Sequence, residues 1–194
     1  MKSYILYIHG FNSAPGGKVG ELKEGFPNHT ILAPKLPNNP HEAISILKNL
    51  LNDKEKVHII GNSLGGFYAL VLASIFKEKD DFYYYLINPQ LWPVDSFTSR
   101  INEKLINFKN GKNFTIENEF INCLKELESS VDIKVFSYID WFFGEYDIVI
   151  DSKKTLDYLY SLKIPFNYNI SPQGHCYKDI TYLIESIREK DIGL

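Results

Sequence analysis

Cysteine is scarce in this sequence. The 194 residues include only Cys123 and Cys176, too few for the disulfide framework of a small secreted protein. Neither residue belongs to a Cys-x-x-Cys pair, and no Cys/His spacing typical of a metal site is present. We therefore expect a reducing, cytoplasmic environment, and we expect neither a metal nor a cofactor.

Long hydrophobic runs are also missing. A membrane helix needs about 18 consecutive apolar residues, and no segment of this chain approaches that length. The apolar run at residues 4–8 is too short for a signal peptide, and no small-residue cleavage site follows it. The sequence thus predicts no membrane span and no export.

An excess of positive charge is absent as well. The formal net charge is −3, so the composition gives no electrostatic reason to expect a nucleic-acid partner. Neither G-x-G-x-x-G nor the P-loop pattern occurs, and the glycines within residues 15–18 indicate only a flexible loop. A hydrophobic share of 44% and a charged share of 23% are ordinary for a globular protein. We expect a single domain over residues 1–194.

Short apolar runs alternate with helix-like segments along the chain. This alternation predicts an α/β fold with about six mostly parallel strands and helices on both faces. Apolar stripes at residues 43–51, 156–162 and 180–187 predict helices. The expected strands are residues 4–8, 30–33, 57–60, 82–87, 135–143 and 166–170.

The connection at about residues 90–133 is much longer than an ordinary strand-to-helix loop. It is rich in aromatic side chains, so it predicts an insertion of one or two helices after the fourth strand. We expect this insertion to lie over the carboxyl ends of the strands, where a lid or an acyl pocket would sit. The alternative is that its helices pack on the side of the sheet.

The segment from Gly61 to Gly65 contains the pattern G-x-S-x-G, with Ser63 at its centre. A strand-like run precedes it and an apolar helix-like run follows it, which is the context of a nucleophile elbow in α/β hydrolases. Ser63 is therefore the candidate nucleophile. The alternative is that Ser63 only caps the helix that follows.

A serine nucleophile needs a base, and α/β hydrolases supply it from a loop after the last strand. His175 is the only histidine after Ser63, and it lies in such a loop, before the final predicted helix. His175 is therefore the candidate base. His58 lies inside a predicted strand, where a buried and hydrogen-bonded side chain is expected.

Three aspartates follow or interrupt the fifth predicted strand and compete for the role of triad acid. Asp147 is favoured because it follows Gly144, which can turn the chain at the carboxyl end of the strand. Asp151 is the alternative, although it could simply cap the next helix. Asp140 falls within the strand, where a structural hydrogen bond is expected.

Two backbone N–H groups are needed to stabilise the oxyanion of an acyl-transfer intermediate. One normally follows the nucleophile and the other lies in the loop after the first strand, which indicates Leu64 and Phe11. The loop around Phe11 could instead be a turn without a catalytic task.

Several segments together resemble the YqiA-like esterase family, a group of small bacterial α/β hydrolases. The resemblance spans almost the whole chain and is carried by residues 7–13, 34–37, 60–69, 87–89 and 174–175. One departure is Asn62, which stands where such proteins commonly have serine.

This resemblance implies a Ser63, Asp147 and His175 hydrolase that acts on a small-molecule carboxylic ester or acyl thioester. It also implies a sheet without the two opening antiparallel strands of larger α/β hydrolases, in the order 2-1-3-4-5-6. Two other functions remain open: a catalytically silent binding module, and a peptidase or amidase that uses the same triad.

Overall fold

A six-stranded parallel sheet forms the centre of the structure, a computed structural model that describes residues 3–108 and 111–192. Its strand order is β2-β1-β3-β4-β7-β8, and every neighbouring pair is parallel. This confirms the α/β prediction and the order 2-1-3-4-5-6 for the sheet. The strands are β1 (Ser3–Ile8), β2 (Thr30–Leu32), β3 (Lys56–Asn62), β4 (Phe82–Ile87), β7 (Ile139–Gly144) and β8 (Asn167–Ser171).

Helices cover both faces of the sheet, as predicted. Successive residues of a strand point to opposite faces, and in β1 Leu6 and Ile8 belong to one hydrophobic cluster while Ile5 and Tyr7 belong to the other. None of the helices in the described ranges is long and apolar enough to cross a membrane. The helices are α1 (Gly17–Gly25), α2 (Pro40–Leu51), α3 (Leu64–Ile75), α4 (Pro93–Thr98), α5 (Asn118–Ser129), α6 (Ser152–Ser161) and α7 (Thr181–Ile192).

Residues 15–18, whose glycines predict a flexible loop, include the first residues of a helix. Helix α1 begins at Gly17, although glycine is a poor helix former. Leu22 of this helix and Phe26 just after it are buried against the same face of the sheet as α7. Tertiary packing therefore overrides the low local propensity.

The long strand predicted for residues 135–143 is shorter than expected. Residues Ile133–Tyr138 form a 3₁₀ helix, which Asp132 caps by accepting a hydrogen bond from the Lys134 N–H. Strand β7 begins only at Ile139, where pairing with Tyr84 of β4 starts. The apolar run fits both elements because Val135 and Phe136 are buried even though they lie outside the sheet.

The insertion after β4 contains more than the expected helices. Helices α4 and α5 are present, and between them an antiparallel hairpin forms from β5 (Lys104–Ile106) and β6 (Asn113–Thr115). The three-residue strands carry too few apolar residues to show an alternating pattern. The sequence pattern therefore does not predict this hairpin.

Candidate active site

Ser63 occupies a sharp turn between β3 and α3. Its φ is +56° and its ψ is −121°, a region that residues other than glycine seldom adopt. The turn is held from both sides, because the Ser63 N–H donates to Ile87 O at 2.9 Å and the Ser63 carbonyl accepts from Gln90 N at 3.0 Å. Such strain persists only where the surroundings enforce it.

Two glycines make this turn possible. A Cβ on Gly65 would lie 2.3 Å from the carbonyl oxygen of Ile8, and a Cβ on Gly61 would lie 2.4 Å from the carbonyl oxygen of Gly65. Both distances are too short for any side chain. The serine hydroxyl makes no capping hydrogen bond to α3, so the N-cap alternative finds no support in the geometry.

His175 and Asp147 are brought together from separate loops. His175 Nδ1 lies 2.8 Å from Asp147 Oδ2, and the Asp147 side chain is fully buried while that of His175 is 25% exposed. This contact orients the imidazole, and it places the proton on Nδ1 and leaves Nε2 as the ring's acceptor. A base for a serine hydroxyl requires that tautomer.

The other carboxylate oxygen of Asp147 is fixed by the backbone. Oδ1 accepts from the N–H groups of Val149 at 2.8 Å and Ile150 at 3.0 Å. The turn that carries Asp147 is also joined to the loop that carries His175, because Tyr146 N donates to Gln173 O at 2.9 Å. Neither oxygen of the carboxylate is therefore left without a partner.

The two competing aspartates have other contacts. Asp151 is the N-cap of α6 and accepts from Lys154 N at 2.9 Å. Asp140 accepts hydrogen bonds from Asn167 Nδ2 at 3.2 Å and Ser186 Oγ at 3.0 Å. The structure thus brings Asp147, and neither competitor, to His175.

Ser63 and His175 line the same cavity, which has a volume of about 920 Å³. Within the described residues no hydrogen bond joins the Ser63 hydroxyl to the imidazole. Catalytic hydrogen bonds of enzymes without substrate are often long and tighten on binding. The two residues therefore share one cavity without a direct hydrogen bond.

The two predicted oxyanion donors border the same cavity. Phe11 and Leu64 both line it beside Ser63. Across residues 3–108 and 111–192 neither N–H donates to a protein acceptor. Each remains available to a ligand oxygen, as an oxyanion donor must be.

A buried histidine supports the loop that carries Phe11. His9 Nε2 accepts from Leu36 N at 3.2 Å, so the loop after β1 is tied to the segment after β2. Next in the chain, Gly10 lies so close to the elbow that its Cβ would be 3.2 Å from Ser63 Cβ. Residues 7–13, the first segment of the family resemblance, therefore contact both the second segment, residues 34–37, and the serine turn.

The cavity wall combines apolar and basic side chains. Phe11, Phe97, Val149 and Ile150 supply the apolar part, and Lys18, Arg100 and Lys178 supply the basic part. Burial lowers the pKa of Lys18, and electrostatic interactions with Cys176 and Glu21 oppose this effect. A volume of about 920 Å³ is ample for a small-molecule ligand.

One residue that the sequence reasoning did not assign connects the whole site. Asn88 is fully buried at the end of β4 with φ +42°. Its Oδ1 accepts from Gly144 N at 2.7 Å, and its Nδ2 donates to the carbonyls of Gly174 at 3.3 Å and His175 at 3.2 Å. Asn88 therefore links the end of β7, which precedes Asp147, and the loop that carries His175 to β4, the strand beside the elbow. Its only signal in the sequence is its place in the segment 87–89.

The parallel sheet, the strained serine turn after β3 and the helices on both faces define a protein of the α/β-hydrolase fold. The chain belongs to the uncharacterised protein family UPF0227, whose model matches residues 4–189. This is the YqiA family, so the resemblance read from the sequence is confirmed.

Solved structures agree with this fold. Alpha/beta hydrolase domain-containing protein 10 from mouse is similar with a TM-score of 0.69 and 18% identity, over 98% of this chain and 90% of that one. A putative hydrolase from Agrobacterium vitis S4 gives a TM-score of 0.71 and 13% identity, over 96% and 87% of the two chains. The monoacylglycerol lipase of Paleococcus ferrophilus gives 0.62 and 15%, over 96% and 93%.

Proposed function

We propose that this chain is a serine hydrolase that cleaves carboxylic esters or acyl thioesters of small molecules. The observation that carries the proposal is the 2.8 Å contact between His175 Nδ1 and Asp147 Oδ2, in a cavity that Ser63 also lines. Ser63, Asp147 and His175 each follow the carboxyl end of a strand, and each has the chemistry that acyl transfer needs. Similar structures described as esterases and lipases agree with this activity.

The first half of the proposed reaction is acylation. His175 Nε2 takes the proton of the Ser63 hydroxyl as Oγ attacks the acyl carbon, and Asp147 stabilises the imidazolium that forms. The Phe11 and Leu64 N–H groups donate to the oxyanion of the tetrahedral intermediate. His175 then protonates the departing alcohol or thiol, which leaves an acyl-enzyme on Ser63.

The second half is hydrolysis of the acyl-enzyme. His175 removes a proton from water, the hydroxide attacks the acyl carbon, and the same two N–H groups hold the second oxyanion. Collapse of this intermediate releases the acid and returns the proton to Ser63 Oγ. Each oxyanion donor typically lowers the barrier by about 3 kcal/mol.

Labelling with a fluorophosphonate probe tests the proposal. Wild type should form one covalent adduct per chain by mass spectrometry, and Ser63→Ala should form none. Ser129→Ala is the matched control, because Ser129 is exposed near the end of α5 and its hydroxyl donates to Glu126 O within the same helix. Labelling of Ser63→Ala at the wild-type rate would contradict the proposal, and absence of labelling in wild type would favour the binding module.

Matched chromogenic substrates distinguish esterase from amidase activity. An ester, a thioester and an amide with the same acyl group should be cleaved by wild type with the ester and thioester far ahead of the amide. A kcat/KM for the amide equal to that for the ester would indicate a peptidase or amidase instead. The triad alone does not separate these activities, because it acts on all three bonds.

A further inference from the structure

A second cluster of histidine and aspartate side chains lies at the opposite edge of the sheet. His29 directly precedes β2, His58 lies near the start of β3, and Asp191 lies in the last turn of α7. From residue 58 to residue 63 an extended chain spans about 16 Å. This cluster is therefore well separated from Ser63.

The spacing of the cluster suits a metal ion. Asp191 Oδ2 lies 3.0 Å from His29 Nε2, and Asp191 Oδ1 lies 3.1 Å from His58 Nε2. One ligand atom from each of the three residues can be chosen so that all lie within 4.8 Å of one another. Zinc bonds of 2.0–2.1 Å in tetrahedral geometry separate two ligand atoms by about 3.3 Å. Small side-chain shifts would thus suffice.

The ring nitrogens of His29 are not satisfied by hydrogen bonds from the described residues. Both of its ring nitrogens are buried, and in the described part of the chain neither makes a hydrogen bond of acceptable geometry, although Nε2 approaches Asp191. Buried polar atoms without hydrogen bonds are rare and costly. The side chain is only 13% exposed, so water does not readily compensate.

His58 is prepared to act as a ligand. Its Nδ1 lies 2.9 Å from the Tyr85 hydroxyl, which fixes the ring and leaves Nε2 facing Asp191. An outer partner on the second ring nitrogen is the usual arrangement for a histidine that ligates a metal.

Lys56 opposes cation binding at this place. Its Nζ lies 2.8 Å from Asp191 Oδ1, the oxygen that also faces His58. For a cation to bind, the Lys56 ammonium would have to rotate away from Asp191. Its side chain is 20% exposed and flexible enough to do so.

We propose that His29, His58 and Asp191 form a binding site for Zn²⁺ or a similar first-row divalent cation, with solvent completing the coordination. The site is structural, since it ties the end of α7 to the entry of β2 and to β3, away from Ser63. The sequence showed no such site, because its ligands come from residues 29, 58 and 191 rather than from a local Cys/His motif.

Metal titration of the full chain, first freed of metal with a chelator, tests the proposal. Wild type should bind one Zn²⁺ per chain, and metal at about 100 times Kd should raise Tm by roughly 5–10 °C. His29→Gln and Asp191→Asn should weaken binding by at least about tenfold and lose the Tm shift. His41→Gln and Cys176→Ser are the controls and should bind as wild type does.

Absence of zinc binding by wild type would overturn the proposal, as would unchanged affinity in both His29→Gln and Asp191→Asn. Loss of binding in Cys176→Ser would move the site to the cavity and equally overturn it. Circular dichroism checks that each variant folds. If the ligand variants do not fold, X-ray absorption of zinc-loaded wild type must still show nitrogen and oxygen ligands and no sulfur at about 2.3 Å.

The substitution Lys56→Gln should strengthen zinc binding, whereas the ligand substitutions should weaken it. Removing the ammonium relieves its repulsion of the cation and frees Asp191 Oδ1, so the affinity for Zn²⁺ should rise by about tenfold. A lower affinity in Lys56→Gln would contradict the geometry described above. None of these measurements depends on hydrolase activity.

Discussion

Two histidine–aspartate pairs lie at opposite edges of one sheet. His175 and Asp147 approach to 2.8 Å at the carboxyl edge, and His58 and Asp191 approach to 3.1 Å at the amino edge. In the first pair the second ring nitrogen makes no hydrogen bond to the described part of the chain and the ring lines the cavity beside Ser63, whereas in the second pair it contacts the Tyr85 hydroxyl. The difference teaches that the neighbours of such a pair, rather than the pair itself, decide its chemistry.

The largest expected difference in activity is between substitutions of a histidine at each edge of the sheet, His175 and His29. His175→Ala should lower kcat/KM for an activated ester by about 10⁵–10⁶-fold, because it removes the proposed acceptor of the serine proton. His29→Gln should leave kcat/KM within about twofold of wild type, since His29 lies at the other edge. Initial rates at saturating and limiting substrate measure both. Comparable losses in the two variants would contradict the division of roles.

Substitution of Asp147 should lower activity and substitution of Asp191 should not, but the loss should be smaller than for His175→Ala. Asp147→Asn should lower kcat by about 10⁴-fold, because the amide favours the wrong tautomer of His175 and cannot stabilise an imidazolium. Asp191→Asn should leave kcat unchanged and lower Tm instead. A kcat of Asp147→Asn close to wild type would return Asp151 to consideration as the acid.

Asn88 offers an intermediate test. Asn88→Gly keeps a backbone that tolerates the φ of +42° but removes the three side-chain hydrogen bonds to Gly144, Gly174 and His175. Misplacement of the acid and base should lower kcat by roughly 10–100-fold while KM changes little. Asn52→Ala is the control, because Asn52 is exposed at the end of α2.

A merely structural role for Asn88 would lower Tm without changing kcat below the melting temperature. Kinetics and thermal unfolding of Asn88→Gly therefore have to be measured on the same preparation. An unchanged kcat would remove Asn88 from the positioning of the site.

The smallest expected effect is the pH dependence of stability at the amino edge. Burial lowers the folded-state pKa of His58 from about 6.5 to about 4, against the pull of Asp191 and aided by Lys56 and His29. Between these values the unfolded chain binds more protons, so stability falls as pH drops from about 6.5 towards 4, by at most about 3 kcal/mol.

Urea unfolding at pH 7 and pH 5 measures this loss in metal-free protein. His58→Gln should lose less stability over the interval than wild type, whereas the exposed control His41→Gln should lose as much as wild type. An equal loss in His58→Gln would assign the pH dependence to other groups.

The sheet and most helices could be predicted from the sequence because their signals are local. Buried strands such as β1 and β4 are continuous apolar runs, and α2 shows a clear stripe. The errors fall where local signals mislead. Helix α1 contains three glycines yet forms through burial of Leu22, and the 3₁₀ helix before β7 shares the apolar character of the strand that follows it.

The candidate site divides in the same way. Ser63 and Asp147 could be proposed from neighbouring residues, the motif and the glycine turn, and His175 from its place in the chain after the last predicted strand. Asn88 and the cluster around His29 could not be found, because their partners lie more than fifty residues apart or on different elements. Their contacts exist only once the chain is folded.

The loop after β1 is bound to the insertion by several contacts. The Phe11 ring packs against Phe97 at 4.7 Å and Phe120 at 5.7 Å between ring centroids, and Asn12 Nδ2 donates to Ile106 O at 2.9 Å. An insertion that swings outward to admit a long acyl chain would thus pull the Phe11 amide with it. Under the proposed function, a substrate that displaces the insertion would also displace the proposed oxyanion donor, and so weaken the stabilisation of its own transition state.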